Sequence, residues 1–185
     1  MLPTLTMVTR VWVDKLDAET PRGRAIAFQC PEKPEQDFIK RMVGLPGETV
    51  VVKREEVFVN GRPIPRCRLG EWSYRAEGDD PATHTGELWL ESVGATSWLV
   101  FLDSTSESHE YGTWVVAPGE VFVLGDNRDN SHDSRFWFGG KGGGVPKTAV
   151  RGKVRGADVP SLPKGAESLN ASFSGCVKTL TGQSF

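Results

Sequence analysis

The sequence has no long apolar run. Its best is the short Trp98-Leu99-Val100-Phe101-Leu102, far below the about 20 residues a spanning helix needs, so this stretch of chain is not expected to cross a membrane. Nor does it open with the basic-then-apolar layout of a secretory signal; taken literally, the written polypeptide would stay in the cytoplasm. Cysteine is scarce. Cys30, Cys67 and Cys176 are odd in number and widely spaced, which fits neither a disulfide framework nor a paired metal motif, and they are expected to be structural or incidental. Histidine is as sparse: His84, His109 and His132 lack ligand spacing, so no metal and no other cofactor is expected. An excess of one charge is also missing. With 22 basic and 24 acidic residues mixed along the chain, neither a nucleic-acid stripe nor a polybasic membrane patch is evident.

What is there is β-rich. Short runs at Thr6 to Val13, Arg24 to Gln29, Phe38 to Val43, Thr49 to Lys53, Val57 to Ile64 and Glu120 to Leu124 are separated by Gly and Pro, which predicts an all-β, mainly antiparallel core. Asn60-Gly61 between strand-like arms predicts a tight hairpin. From Cys67 to Gly112 the texture turns acidic, Trp-containing and turn-rich, with further strands at Leu88-Trp89-Leu90 and Trp98 to Leu102. This reads as an inserted β-rich subdomain, 67–112, within a discontinuous core of 1–66 and 113–160. Trp72, Trp89, Trp98 and Trp114 are expected to be packing residues. Gly139-Gly140-Lys141-Gly142-Gly143-Gly144 lacks phosphate-loop spacing and reads as a flexible linker. The polar stretch 161–185 reads as a poorly ordered tail.

Two strings carry the chemistry. Gly125-Asp126-Asn127-Arg128-Asp129-Asn130-Ser131-His132-Asp133-Ser134-Arg135-Phe136-Trp137 packs charges and serines between an apolar strand and aromatic residues, as in a rigid polar loop beside a core. Asp126, Arg128, Asp133 and Arg135 are acid and base groups at short spacing, suited to tie that loop by charge-assisted hydrogen bonds. In Phe38-Ile39-Lys40-Arg41-Met42-Val43-Gly44, strand alternation puts Lys40 on one face with Phe38 and Met42. Two readings of Lys40 stand: an amine that snorkels to the sheet edge and keeps its charge, or one whose desolvation lowers its pKa toward that of a general base. Gly44 and Gly125 would permit close backbone approach and unusual dihedrals.

Together these strings resemble bacterial type I signal peptidase, a Ser-Lys endopeptidase family. Met1-Leu2-Pro3-Thr4-Leu5, Arg22-Gly23 through Phe28, Lys40-Arg41 with Gly44-Leu45-Pro46-Gly47, and Gly125 to Trp137 stand in family order. The resemblance implies removal of signal peptides from exported precursors, with Lys40 as general base and Ser131 orienting its amine. It implies Met1, Leu5, Phe38, Ile39 and Val123 as walls of small-residue pockets, along which an extended substrate adds a strand. Gly44, Gly125, Asp126, Arg128, Asp133 and Arg135 would support the site, and the insertion would lie outside it. The family's nucleophilic serine stands immediately before the Met-x-Pro-Thr-Leu string, which here begins at residue 1. The expected nucleophile, oxyanion-binding serine and membrane anchor therefore lie upstream of the written chain, as a gene start placed at an internal methionine would explain. The implied partners are signal peptides and, in the anchored form, a membrane surface with the catalytic domain on the extracytoplasmic side; nucleic acid is not among them. The alternative is a peptide-binding pseudoenzyme whose native chain begins at Met1.

Overall fold

A computed structural model describes residues 3, 11–14, 22–53, 56–76, 82–106, 110–156 and 160–180. Val- and Phe-rich runs suit a pleated, half-buried surface, and among the described residues they form strands β1 (Val13–Asp14), β2 (Ala25–Gln29), β3 (Asp37–Gly44), β4 (Thr49–Lys53), β5 (Glu56–Val59), β6 (Arg62–Pro63), β7 (Arg66–Arg75), β8 (Thr83–Val93), β9 (Thr96–Asp103), β10 (Glu110–Val115), β11 (Glu120–Leu124), β12 (Val145–Pro146) and β13 (Val150–Val154). Three sheets result, ordered β1-β13-β2-β3-β11-β12, β10-β4-β5-β6 and β7-β8-β9. The ladders are antiparallel, so the fold class is all-β as expected. Of the strand predicted over Thr6 to Val13, only Val13 lies in a described strand, where it pairs with Val154. The Asn60-Gly61 hairpin forms as its chemistry requires: Val59 opposes Arg62, and both turn residues take positive φ, 50° and 79°.

Strand β9 explains why Trp98 to Leu102 is apolar throughout. Trp98, Val100 and Leu102 enter a core with Val50, Val52, Val57, Val59 and Phe122, while Leu99 and Phe101 enter a second core with Leu69, Trp72, Leu88 and Leu90. Both faces of the strand are buried, so alternation disappears. A third cluster, of Ile26, Phe28, Met42, Val121, Val123, Trp137 and Val145, underlies the six-stranded sheet.

Three expectations fail. The segment read as a poorly ordered tail contains helix α2 (Asn170–Leu180), after a single turn α1 (Trp137–Gly140) earlier in the chain. Leu169, Phe173, Cys176, Val177 and Leu180 fall at helical spacing and pack on the β7-β8-β9 sheet, which supplies the apolar partner that makes the helix stable. Cys67 and Cys176 are not incidental: they form a disulfide across 109 residues with Cα atoms 5.6 Å apart, joining β7 to α2. Cys30 alone is a free, buried thiol. The glycine run is a packed turn, not a flexible linker. The N–H groups of Gly142 and Gly143 donate to the Trp137 and Ser134 carbonyls at 2.8 and 2.9 Å, and a Cβ at Gly142, where φ is +74°, would meet Trp114 Nε1 at 2.2 Å.

Candidate active site

Strand β3 carries Lys40 and the loop after β11 carries Ser131. Their side chains meet although 91 residues separate them: Lys40 Nζ donates to Ser131 Oγ at 2.7 Å. Alternation in β3 sends Met42 into the third cluster and Val43 into the first, which leaves Lys40 among apolar neighbours, its Nζ 5.7 Å from the Phe38 ring centroid. Burial holds the Lys40 pKa below its ordinary value of 10.5, and the Arg135 charge pushes the same way, against Asp133, Asp126 and Cys30. The second reading of Lys40, a desolvated amine, is the one the geometry matches.

Gly125 makes the pairing possible by close approach. A Cβ there would lie 2.0 Å from Ser131 Oγ and 2.4 Å from Ser131 Cβ. Gly44 is equally confined, its added Cβ falling 2.6 Å from Val50 Cγ2 and 2.8 Å from Phe122 Cβ. Neither is among the positive-φ glycines, so both serve space and not the unusual dihedrals expected of them.

One of the two short-spaced charge pairs of the loop forms, and the other does not. Asp133, fully buried, binds Arg135 at 2.8 Å and accepts the Gly125 N–H at 2.8 Å. Burial alone would raise the Asp133 pKa, but Arg135, the Gly125 amide and Lys40 together hold it below the usual 3.8. Asp126 pairs not with Arg128 but with Arg41, whose Nε and Nη2 donate at 3.0 and 2.5 Å; Arg41 also donates to the Gly23 carbonyl at 2.8 Å. Arg128 pairs with Glu91 of β8 at 2.5 Å. The short-spaced pair forms where both groups face the loop interior, whereas Asp126 and Arg128 face sheet neighbours on the buried side.

Several contributors escaped sequence reasoning. Glu91 is 1% exposed and accepts from both Trp98 and Arg128; its trace in the sequence is an acid directly after the apolar Leu88-Trp89-Leu90. Arg22 clamps Glu48 through two hydrogen bonds of 2.8 and 2.6 Å, and Glu48 accepts the Leu45 N–H at 2.6 Å, which closes the Gly-Leu-Pro-Gly turn. Glu32 accepts from His132 Nε2 at 2.6 Å and from the Phe138 N–H at 2.7 Å; the His132 hydrogen bond leads the causes that hold its pKa below 4.5.

Of the proposed pocket walls, Phe38 and Ile39 are half-buried beside Lys40. Val123 is fully buried in the third cluster with Phe28 and Met42, because β11 lies inside the sheet between β3 and β12; it backs the site and does not line an open wall. Met1 and Leu5 lie outside the described residues. Residues Asp37 to Lys40 pair with β2 on one side, while β11 begins pairing only at Arg41. Among the described residues the outer half of β3 thus presents one open edge next to the Lys40 amine.

Comparison with known proteins gives the class first: the chain is matched among peptidases. The model of the family described as "Signal peptidase, peptidase S26" covers residues 1–157, and the chain belongs to that family. It is 33% identical over 206 aligned positions to signal peptidase I of Aquifex aeolicus (strain VF5), covering 92% of this chain and 78% of that protein. Signal peptidase I of Bacillus caldolyticus is 31% identical over 157 residues, 83% of this chain and 71% of that protein. Signal peptidase I of Pseudomonas fluorescens is 36% identical over 119 residues, 63% of this chain, of which the match spans 39% of the relative's length.

Proposed function

We propose that this chain is the catalytic portion of a signal peptidase I that removes signal peptides from exported precursors, with Lys40 as general base. The observation that carries the reading is the 2.7 Å hydrogen bond between Lys40 Nζ and Ser131 Oγ, which joins two motif residues in a desolvated setting. A serine hydroxyl supplied from upstream of Met1 gives its proton to neutral Lys40 as its oxygen attacks the scissile carbonyl. The resulting ammonium protonates the departing amine, and the peptide bond breaks to leave an acyl-serine. Lys40, neutral again, takes a proton from water, the hydroxide attacks the ester carbonyl, and the serine oxygen leaves with the proton returned from Lys40. Ser131 accepts from Lys40 and aims its amine throughout.

The open edge of β3 fits an extended substrate that adds a strand beside Phe38 and Ile39. The Cys67–Cys176 disulfide supports action in an oxidising compartment on the extracytoplasmic side of a membrane. Intact mass and N-terminal sequencing of the native protein, with cleavage assays of Lys40→Ala, test the reading. A serine immediately before Met1 and loss of cleavage in Lys40→Ala are expected. A native chain starting at Met1 that binds a signal peptide without cutting it would replace this reading with the pseudoenzyme, and retained cleavage in Lys40→Ala would remove Lys40 as base.

A further inference from the structure

The resemblance put the inserted subdomain outside the active site, yet its sheet is bonded directly to the loop that bears Ser131. The Phe101 N–H of β9 donates to the Asp126 carbonyl at 2.9 Å and the Arg128 N–H donates to the Phe101 carbonyl at 3.1 Å, forming a short parallel bridge between Phe101 and Asn127. Asp129 accepts the Asp103 N–H at 2.8 Å.

Two side chains of the insertion reach further. Asn127 Nδ2 donates to Tyr74 Oη at 2.9 Å, while Asn127 Oδ1 accepts the N–H of Asn130 at 3.2 Å; Asn130 directly precedes Ser131. Tyr74 is held for this task, its ring stacked between Trp72 at 5.3 Å and His84 at 5.1 Å, with His84 Nδ1 bound to Asp103 at 2.8 Å. Glu91 meets Arg128 Nη2 at 2.5 Å and Trp98 Nε1 at 2.9 Å. Arg128 Nε in turn donates to the carbonyl of Gly125 at 3.2 Å, the residue on which Ser131 packs. The loop is therefore gripped through Asp126 to Asn130, directly before its contact with Lys40.

We propose that the inserted sheet is the buttress of the site, with Tyr74 and Glu91 as positioning residues that hold Ser131 against Lys40. The inference rests on the catalytic reading of Lys40 given above. It requires that removing either grip loosens the loop, lets water reach the Lys40 amine and slows the chemical step while leaving substrate binding intact.

The test measures the Lys40 titration in the intact native protein, by brief acetic anhydride labelling across pH with peptide mass spectrometry, in wild type, Tyr74→Phe and Glu91→Gln. Both changes keep shape, and the amide oxygen introduced by Glu91→Gln can still accept from a donor while the negative charge that holds Arg128 is gone. Ser73→Ala, which removes only an exposed 2.8 Å contact to Thr85, serves as control. The Lys40 midpoint rises toward the ordinary lysine value in both variants and stays put in the control. Cleavage then shows kcat lowered by about tenfold with KM within about twofold of wild type. Unchanged Lys40 midpoints and unchanged kcat in folded Tyr74→Phe and Glu91→Gln overturn the inference and reduce the insertion to a structural element. Because labelling needs no turnover, that outcome is distinct from cleavage by Lys40→Ala, which would sink the catalytic reading itself.

Discussion

Replacing Gly125 with alanine tests whether the site depends on one close approach. The new Cβ would sit 2.0 Å from Ser131 Oγ and 2.4 Å from Ser131 Cβ, whereas unstrained contacts of this kind lie at roughly 3.5 Å. Something must move by about 1.5 Å to restore that spacing. The backbone at Gly125 is outside the positive-φ region, so alanine is conformationally allowed and the effect is purely one of space. If Ser131 retreats, its 2.7 Å bond to Lys40 lengthens past the roughly 3.2 Å limit of a useful hydrogen bond. Overpacking costs about 1–3 kcal/mol and the lost hydrogen bond about 1 kcal/mol, which in a domain of this size lowers Tm by roughly 5–15 °C. Cleavage should fall by about 10²-fold, the scale of an ångström misplacement. Calorimetry and a peptide assay read the two effects. Gly175→Ala is the comparison: it lies inside α2 with nothing within 4 Å of its added Cβ and should stabilise by up to about 1 kcal/mol. A Gly125→Ala protein with wild-type Tm and wild-type cleavage would refute the packing argument.

Because the Lys40 pKa is lowered by burial, cleavage should rise with pH through a midpoint below 10.5, and Lys40→Arg should be inactive at every pH because a guanidinium does not deprotonate. Between the folded and unfolded Lys40 midpoints the unfolded chain binds more protons, so stability rises with pH across that window. Lys40→Met should remove this slope in urea unfolding, and a slope that survives would locate its cause elsewhere. Asp126→Ala leaves the buried Arg41 charge without its carboxylate and should cost about 3–5 kcal/mol, with Asp126→Asn milder; equal stability of wild type and Asp126→Ala in denaturant would count against a buried pair. Reduction, or Cys176→Ser, opens a covalent link spanning 109 residues and should cost about 2–5 kcal/mol, read as a Tm fall on adding dithiothreitol; no fall would deny the bond.

The strands were legible where one face is apolar and the other polar, or where β-branched runs met Gly and Pro. Thr49–Lys53 and Glu120–Leu124 were placed residue for residue. Strand β7 was not, because Arg66–Arg75 mixes Arg, Gly, Glu and Ser with its buried Leu69 and Trp72, and its pattern makes sense only beside β8 and α2. Helix α2 was missed although its apolar residues keep helical spacing, since Ser, Asn and Gly dilute the signal. Lys40 and Ser131 could be named from their motifs. Asp126 and Arg128 could be named as supporters too, but their partners could not, since these lie 85 and 37 residues away and only the folded sheets bring them together.

The separation of Lys40 and Ser131 has a temporal consequence. Strands β4 to β11 lie in the chain between them, so the pair is a contact of high sequence separation, of the sort that closes late in folding. During synthesis Lys40 emerges long before its partner. Until the loop docks, the Lys40 amine stands in water with an ordinary affinity for protons and no aptitude as a base. On the role proposed above for Lys40, the capacity to cut would arrive only together with the finished fold.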